Sequence, residues 1–370
     1  MNVLLIQALR EPSRLAGLGA AEWDLLIRQA RHSRLVGRLA VLVEQYGVSP
    51  PDAAGAHLRA ARHVADSQHS AVLWESKQIC RALSSLEVPL LLLKGAAYAQ
   101  AGLRAGHGRL LTDIDILVPL SRISDVETEL ILHGWEGSEE LSDHDQRYYR
   151  EWMHEIPPMR HMRRSSVIDV HHNILPRTAR VAIDAERLIA AAVPIPGAPG
   201  LLRLSDADLV LHSACHLFLD GEFDKGLRDL LDLDSLLREF SSQQLDFASN
   251  LIARAAELGL GRVLFYALRY THSVLGTPVP PETTQALAEA APPAWQLSWM
   301  DAVFLRALRP DHPSCDDGWS SIARSFLYLR AHWMRMPIHL LLPHLAIKTF
   351  AGRFGKTRVE AREGLNAAGR

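Results

Sequence analysis

Within LLLLKGAAYAQAGLRAGHGRLLTDIDILV, the run from Leu90 to Val118, two carboxylates stand two residues apart inside a short apolar segment. They are Asp113 and Asp115. A β-strand alternates its side chains, so the two aspartates project from one face while Ile114 and Ile116 enter the other. Two acids on one strand face repel each other and are costly to bury unless a cation compensates. Mg²⁺ suits such a place, because it takes carboxylate oxygens and completes its shell with water and phosphate. That is a site for nucleotide chemistry.

Other residues stand around this pair in a fixed order. An apolar strand ends in Lys94-Gly95, and Arg109 comes shortly before Asp113-Ile114-Asp115. Ile168-Asp169-Val170-His171 reads as a later strand, and Leu227-Arg228-Asp229-Leu230-Leu231-Asp232 reads as helix. As an ordered set these segments resemble the nucleotidyltransferase superfamily related to DNA polymerase β. More narrowly, they resemble the bacterial family of uncharacterised nucleotidyltransferases, over residues 70–280. One departure stands out: where the superfamily carries Gly-Ser or Gly-Gly, this sequence has Gly95-Ala96, so a phosphate-binding hydroxyl is missing.

The resemblance implies an α+β fold with a small mixed-sheet, palm-like core and extensive N- and C-terminal helical additions. It implies Mg²⁺-dependent transfer of a nucleoside monophosphate from a nucleoside triphosphate such as ATP to an acceptor hydroxyl, with release of pyrophosphate. Such transfer needs positioning and charge neutralisation more than covalent help, and two metal ions can hold the attacking and leaving oxygens in line. Asp113, Asp115 and Asp169 are the implied catalytic and metal-binding set, with Asp169 also able to take a proton from the acceptor. Lys94, Gly95, Arg109, His171, Arg228 and Asp232 are the implied nucleotide-binding set. In that scheme Lys94 and Gly95 open a phosphate-binding turn at a helix N-terminus, where anions are favoured. Arg109 adds positive charge near the triphosphate, and Arg228 with Asp232 closes the site from a second domain.

Several of these residues also have plainer readings. Arg228 and Asp232, four apart on a helix, form an ordinary surface ion pair equally well. Lys94 can be a solvent-facing strand end, and His171 a core histidine bonded to backbone. His212 and His216 also stand four apart, but no suitably spaced third ligand accompanies them, so they read as satisfied helix histidines.

The elements that must position these groups can be sketched from periodicity. Residues 13–46 predict one helix started by Ser13, and His57–Leu86 a second. Val88–Leu93 reads as a strand buried on both faces, followed by a short helix over 95–103. Pro119 ends the Asp113–Val118 strand, and Ser121–His133 reads as a helix closed by Gly134. Segments 152–162 and 166–172 predict an antiparallel strand pair. The run VPIPGAPG, 193–200, reads as a linker, and Ser205 caps a helical stretch reaching 275. A Pro-rich connection follows over 276–295. The expected organisation is a helical region 1–86, a catalytic core 87–193, a helical closing domain 201–295 and a C-terminal helical extension 296–370.

Composition narrows the partners. The 370 residues carry a net charge of −2 with 48% hydrophobic and 22% charged residues, as an ordered globular chain does. Without a global basic footprint, the acceptor is expected to be a small molecule or a protein before a long nucleic acid. Three scattered cysteines build neither a disulfide framework nor a zinc motif, and no signal-peptide or membrane-spanning pattern is present, which together predict a cytoplasmic protein. The apolar, basic-flanked segment 333–358 predicts either a helix packed on the domain or a weak membrane-surface contact. Two rival functions are a catalytically inactive nucleotide-binding or scaffolding protein of the same fold and a metal-dependent phosphohydrolase built from His133, His144-Asp145 and Asp169. The three retained aspartates speak against the first, and the strand setting of Asp169 against the second.

Overall fold

The computed structural model describes residues 3–137, 146–337 and 339. His144-Asp145 and most of segment 333–358 lie outside the described residues. The chain opens with helices α1 (Leu4–Arg10), α2 (Ala20–His32), α3 (Val36–Gln45) and the long α4 (Asp52–Ala82). A mixed sheet and its covering helices follow: β1 (Leu91–Leu92), α5 (Lys94–Gln100), β2 (Ile114–Leu117), α6 (Ile123–Leu132), β3 (Trp135–Gly137), β4 (Met159–His161), β5 (Val167–His171), α7 (Ala185–Ala190), β6 (Val193–Pro194) and β7 (Leu202–Arg203). Helices α8 (Asp206–Asp220), α9 (Gly226–Gln243), α10 (Phe247–Glu257) and α11 (Gly261–Tyr270) come next. Beyond them Ala294–Ala307 and Ser320–Arg335 are also helical. The architecture is the α+β arrangement expected, with helical additions on both sides of the sheet.

The sheet has the order β3-β4-β5-β2-β1-β7-β6. Two of its pairings, β2 with β5 and β1 with β7, are parallel, and the rest are antiparallel. Central strand β2 is buried along its whole length. This fits its near-continuous apolar sequence, since a strand covered on both faces needs no polar alternation.

Several boundaries differ from the sequence reading. The helix expected over 13–46 is a 3₁₀ turn (Pro12–Gly17) followed by α2 and α3. Arg34 adopts φ +56°, and the Leu35 amide donates back to the Ala30 carbonyl at 2.7 Å. That geometry terminates a helix in the manner usually marked by glycine. With Arg in the glycine place, the sequence carries no signal for the break.

The strand expected over Val88–Leu93 pairs only at Leu91–Leu92, and the 152–162 strand contracts to Met159–His161 behind a π-helical turn at Tyr148–Trp152. The 193–200 run is not a linker. Val193–Pro194 pairs with Leu202–Arg203, and β7 adds itself in parallel to β1. Proline is tolerated there because β6 is the edge strand. Two terminator expectations hold: Ser205 Oγ accepts from the Asp208 amide at 3.2 Å, and Gly134 has φ +91° just past α6.

The loop between α5 and β2, which delivers Asp113 and Asp115, is gripped from two sides. A Cβ built on Gly37 of α3 would meet the Gly108 carbonyl oxygen at 2.5 Å, so the helix backbone rests directly on the loop backbone. Beside that contact Arg38 donates to the carbonyls of Arg104 and His107, and the Arg104 amide donates to Glu239 of α9 at 2.9 Å. Gly37→Ala forces helix and loop apart. It should cost about 1–3 kcal/mol, read as a lower urea midpoint with unchanged slope; an unshifted midpoint would mean that the contact is not held in solution.

Candidate functional site

Parallel register places Asp115 of β2 directly beside Asp169 of β5. Residues paired across neighbouring strands share a face, so both carboxylates project from the same side of the sheet. His171, two residues on, lies on that side as well. Asp113 sits one residue before β2, is exposed, and lines the same cavity of about 210 Å³ as Asp115 and Asp169. Asp113, expected on the strand itself, lies just outside the ladder.

Lys94 closes the acidic side. It is the first residue of α5 and adopts φ +43°. A left-handed backbone at a residue with a full side chain is strained by the order of 1–2 kcal/mol. The side chain reaches Asp115, its Nζ donating to Oδ1 at 3.0 Å. The same oxygen lies 3.0 Å from His171 Nε2. His171 Nδ1 lies 3.2 Å from Glu155 Oε2, but the pair is not aligned as a hydrogen bond.

These contacts divide the charge unevenly. Burial alone would raise the Asp115 carboxyl, but Lys94 and His171 outweigh it and hold Asp115 well below the usual carboxylate range. Burial pulls the Lys94 ammonium down, and Asp115 more than restores it, so lysine keeps its proton. His171 is likewise raised, with Glu155 and Asp115 overcoming its burial. At Asp169 the compensation from His171 falls short. Burial, then Asp115, then Glu155 push its carboxyl up to about 7, and its buried Oδ1 has no hydrogen-bond partner.

The opposite wall was not anticipated as a unit. Helix α8 contributes His212, Cys215, His216 and Asp220; His154 and Glu155, which also line the cavity, run alongside β5, where Glu155 bridges His171. Arg335 pairs with Asp220 at the rim. His212 and His216 therefore face the site. The reading of them as satisfied helix histidines fails for His212, whose buried Nδ1 has no hydrogen-bond partner. Burial, with Lys94 and neighbouring histidines, holds His212 well below the usual imidazole range.

The family model described as uncharacterised nucleotidyltransferase matches residues 19–276. The chain belongs to that family. No curated protein and no solved structure matches it. Apart from Arg335, every cavity residue named above lies within the family-matched span. Among the described residues, no helix is long and apolar enough to cross a membrane.

In this member of the nucleotidyltransferase family, four residues expected at the nucleotide, Gly95, Arg109, Arg228 and Asp232, do not line the acidic cavity. Arg109 is buried and donates from Nε to Asp232 at 2.8 Å, with Arg38 3.8 Å from the other Asp232 oxygen. Arg228 pairs with its neighbour Asp229 at 2.6 Å, so the expected Arg228–Asp232 helix pair does not form. The reason is desolvation: a buried carboxylate demands a charged partner, and Arg109 supplies one where a surface pair would be worth only tenths of a kcal/mol. The Arg109 guanidinium also explains Gly95, because a Cβ there would strike it and would meet Leu111 Cδ2 at 2.5 Å. Ala96, which follows Gly95, is buried and does not line the cavity.

Two stability predictions follow from these charges. Asp232→Asn leaves Arg109 and Arg38 short of a counter-charge and should cost about 3–5 kcal/mol in denaturant unfolding. Asp169→Asn should act in the opposite direction. The folded carboxyl, raised to about 7 from 3.8, holds its proton longer than the unfolded one, so wild-type stability falls as pH rises between those values. The variant should match the wild type near pH 4 and exceed it by roughly 1–4 kcal/mol at pH 8. Melting curves across that range check the sign; a gap that is independent of pH would contradict the raised carboxyl.

Proposed function

We propose that the chain is a Mg²⁺-dependent nucleotidyltransferase that moves a nucleoside monophosphate from a nucleoside triphosphate to an acceptor hydroxyl, releasing pyrophosphate. The observation that carries this reading is the side-by-side placement of Asp115 and Asp169, with Asp113 at the cavity mouth and an unpartnered buried oxygen on Asp169. An all-carboxylate donor set with surplus negative charge fits a hard divalent cation. Asp113, Asp115 and Asp169 would hold it, and when bound it would supply neutralisation of the phosphate and pyrophosphate charge.

The chain's own groups have definite tasks in this reading. Lys94 carries its proton in a strained turn beside Asp115, and it can exchange that carboxylate for a phosphate oxygen as the triphosphate enters. Asp169 can accept the acceptor's hydroxyl proton at the orphaned Oδ1. His171 orients Asp115 through Nε2. Arg109, held by Asp232, acts beneath the site as a positioning residue against the Lys94-Gly95 turn rather than touching phosphate. Asp113 also borders a second groove of about 310 Å³, lined in part by Val72, Trp74, Leu111 and Val167. A nucleotide straddling Asp113 can place its phosphates in the acidic cavity and its base against this apolar wall. The acceptor is a small molecule or a protein hydroxyl, consistent with a net charge of −2.

Calorimetric titration of ATP, GTP, CTP and UTP, with and without Mg²⁺, should show Mg²⁺-dependent binding of at least one triphosphate that Asp113→Asn abolishes. With an acceptor in hand, Asp115→Asn should lower transfer by roughly 100-fold or more. Full activity in both variants would sink the assignment. Triphosphate binding without pyrophosphate release under any acceptor would instead favour a binding module of the same fold.

A further inference from the structure

Beside the carboxylate pair, on the same face of the sheet, is a donor set of different character. His154, Glu155 and His171 each offer a ligand atom, and the three atoms lie within 4.8 Å of one another. His171 is 2% exposed, and its ring is fixed by the 3.0 Å contact of Nε2 with Asp115 Oδ1. When Nε2 donates its proton to that carboxylate, Nδ1 of the neutral ring carries a lone pair. That nitrogen lies 3.2 Å from Glu155 Oε2 without an aligned hydrogen bond. His154 Nδ1 is also shut off from solvent and has no hydrogen-bond partner. The two rings stand 5.2 Å apart, tilted by 34°. Two imidazole nitrogens and one carboxylate oxygen thus converge within 4.8 Å of one another.

We propose that His154, Glu155 and His171 form a binding site for one borderline divalent transition-metal ion of the Zn²⁺, Co²⁺ or Mn²⁺ type, separate from the hard-cation position at the aspartates. Imidazole nitrogen suits such ions, whereas Mg²⁺ takes oxygen ligands and keeps its water. Asp115 completes the arrangement as the outer carboxylate of a carboxylate–histidine–metal chain, which sets ring orientation and raises ligand basicity. His212, 3% exposed on α8 and with Nδ1 unpartnered, faces the same cavity and adds a further nitrogen within its walls. The inference rests on donor geometry and stands whether or not the chain transfers nucleotides.

The test uses the full chain, stripped with chelator and held in excess Mg²⁺. Zn²⁺ and Co²⁺ titrations, by calorimetry and by visible absorption, should give one equivalent bound. Pulsed electron paramagnetic resonance of a Cu²⁺-loaded sample should report coupling to at least two imidazole nitrogens. His154→Ala and Glu155→Gln should each weaken binding about tenfold or more, and Asp115→Asn, acting through His171, by about 10- to 100-fold. No stoichiometric binding to the wild type would overturn the proposal and leave Glu155 as the ion-pair partner of a protonated His171. Equal affinity in wild type, His154→Ala and Glu155→Gln would overturn it in favour of surface histidines. If a variant fails to fold, as judged by its melting curve, the nitrogen count on the wild type decides alone.

Discussion

A guanidinium and a carboxylate separated by 123 residues of sequence meet under Gly95, and the site stands on that meeting. Arg109 belongs to the loop that delivers the acidic strand, and Asp232 to helix α9. Neither is tolerable in the interior alone, because an unpaired buried charge costs several kcal/mol. Their pairing therefore fixes the distance between the sheet and the helical half of the chain. Arg38 brings the N-terminal helices into the same arrangement, approaching Asp232 and donating at the same time to Ser235 and to the carbonyls of the loop. Three parts of the chain that the sequence presents as separate regions are thus tied at one buried cluster. The absence of a side chain at position 95 is what lets the guanidinium lie against the turn that carries Lys94.

Above that cluster the cavity is built to hold excess negative charge. Lys94 and His171 satisfy one carboxylate, and Asp169 is left with a buried oxygen and a raised pKa. Stability alone would favour an amide or an apolar residue in its place, so Asp169 is a cost the fold carries. Strain at Lys94 points the same way, since a left-handed lysine contributes nothing to packing that glycine would not. Destabilising features gathered on one face of a rigid sheet are the usual mark of a working site.

How much of this was legible depended on whether the signal was local. Asp113 and Asp115 announce themselves by strand alternation, and Asp169-Val170-His171 repeats the pattern on the strand that becomes their neighbour. Ser205 and Gly134 act on backbone groups one turn away and were read correctly. Arg34 was not, because it takes a glycine's conformation without a glycine's identity. The 193–200 run looked like a linker because Pro and Gly dominate it, yet a two-residue edge strand needs no stronger sequence. Arg228 and Asp232 carried a valid helix spacing that long-range desolvation overrode. His154, Glu155 and Asp220 are ordinary residues in ordinary segments, and only the tertiary fold, which lays the 154–156 segment along β5 and lines the cavity with α8, brings them together. The family match extends over all of these but says nothing of their roles.

The parallel ladder between β2 and β5 also has a kinetic side. Contacts across it join residues as far apart as the 56 positions between Asp115 and His171, so the ladder closes only after a long loop has been ordered. Closure brings two like charges together, yet each strand arrives with its own relief. Lys94 reaches Asp115 from only 21 positions away, across the antiparallel β1–β2 pair, and His171 travels on the same strand as Asp169. By loop-closure entropy alone, the Lys94–Asp115 contact is the cheaper one to form before β5 docks. The like-charged pair of that last step is the one part of the ladder whose docking opposes itself, and protonation of Asp169 removes that opposition.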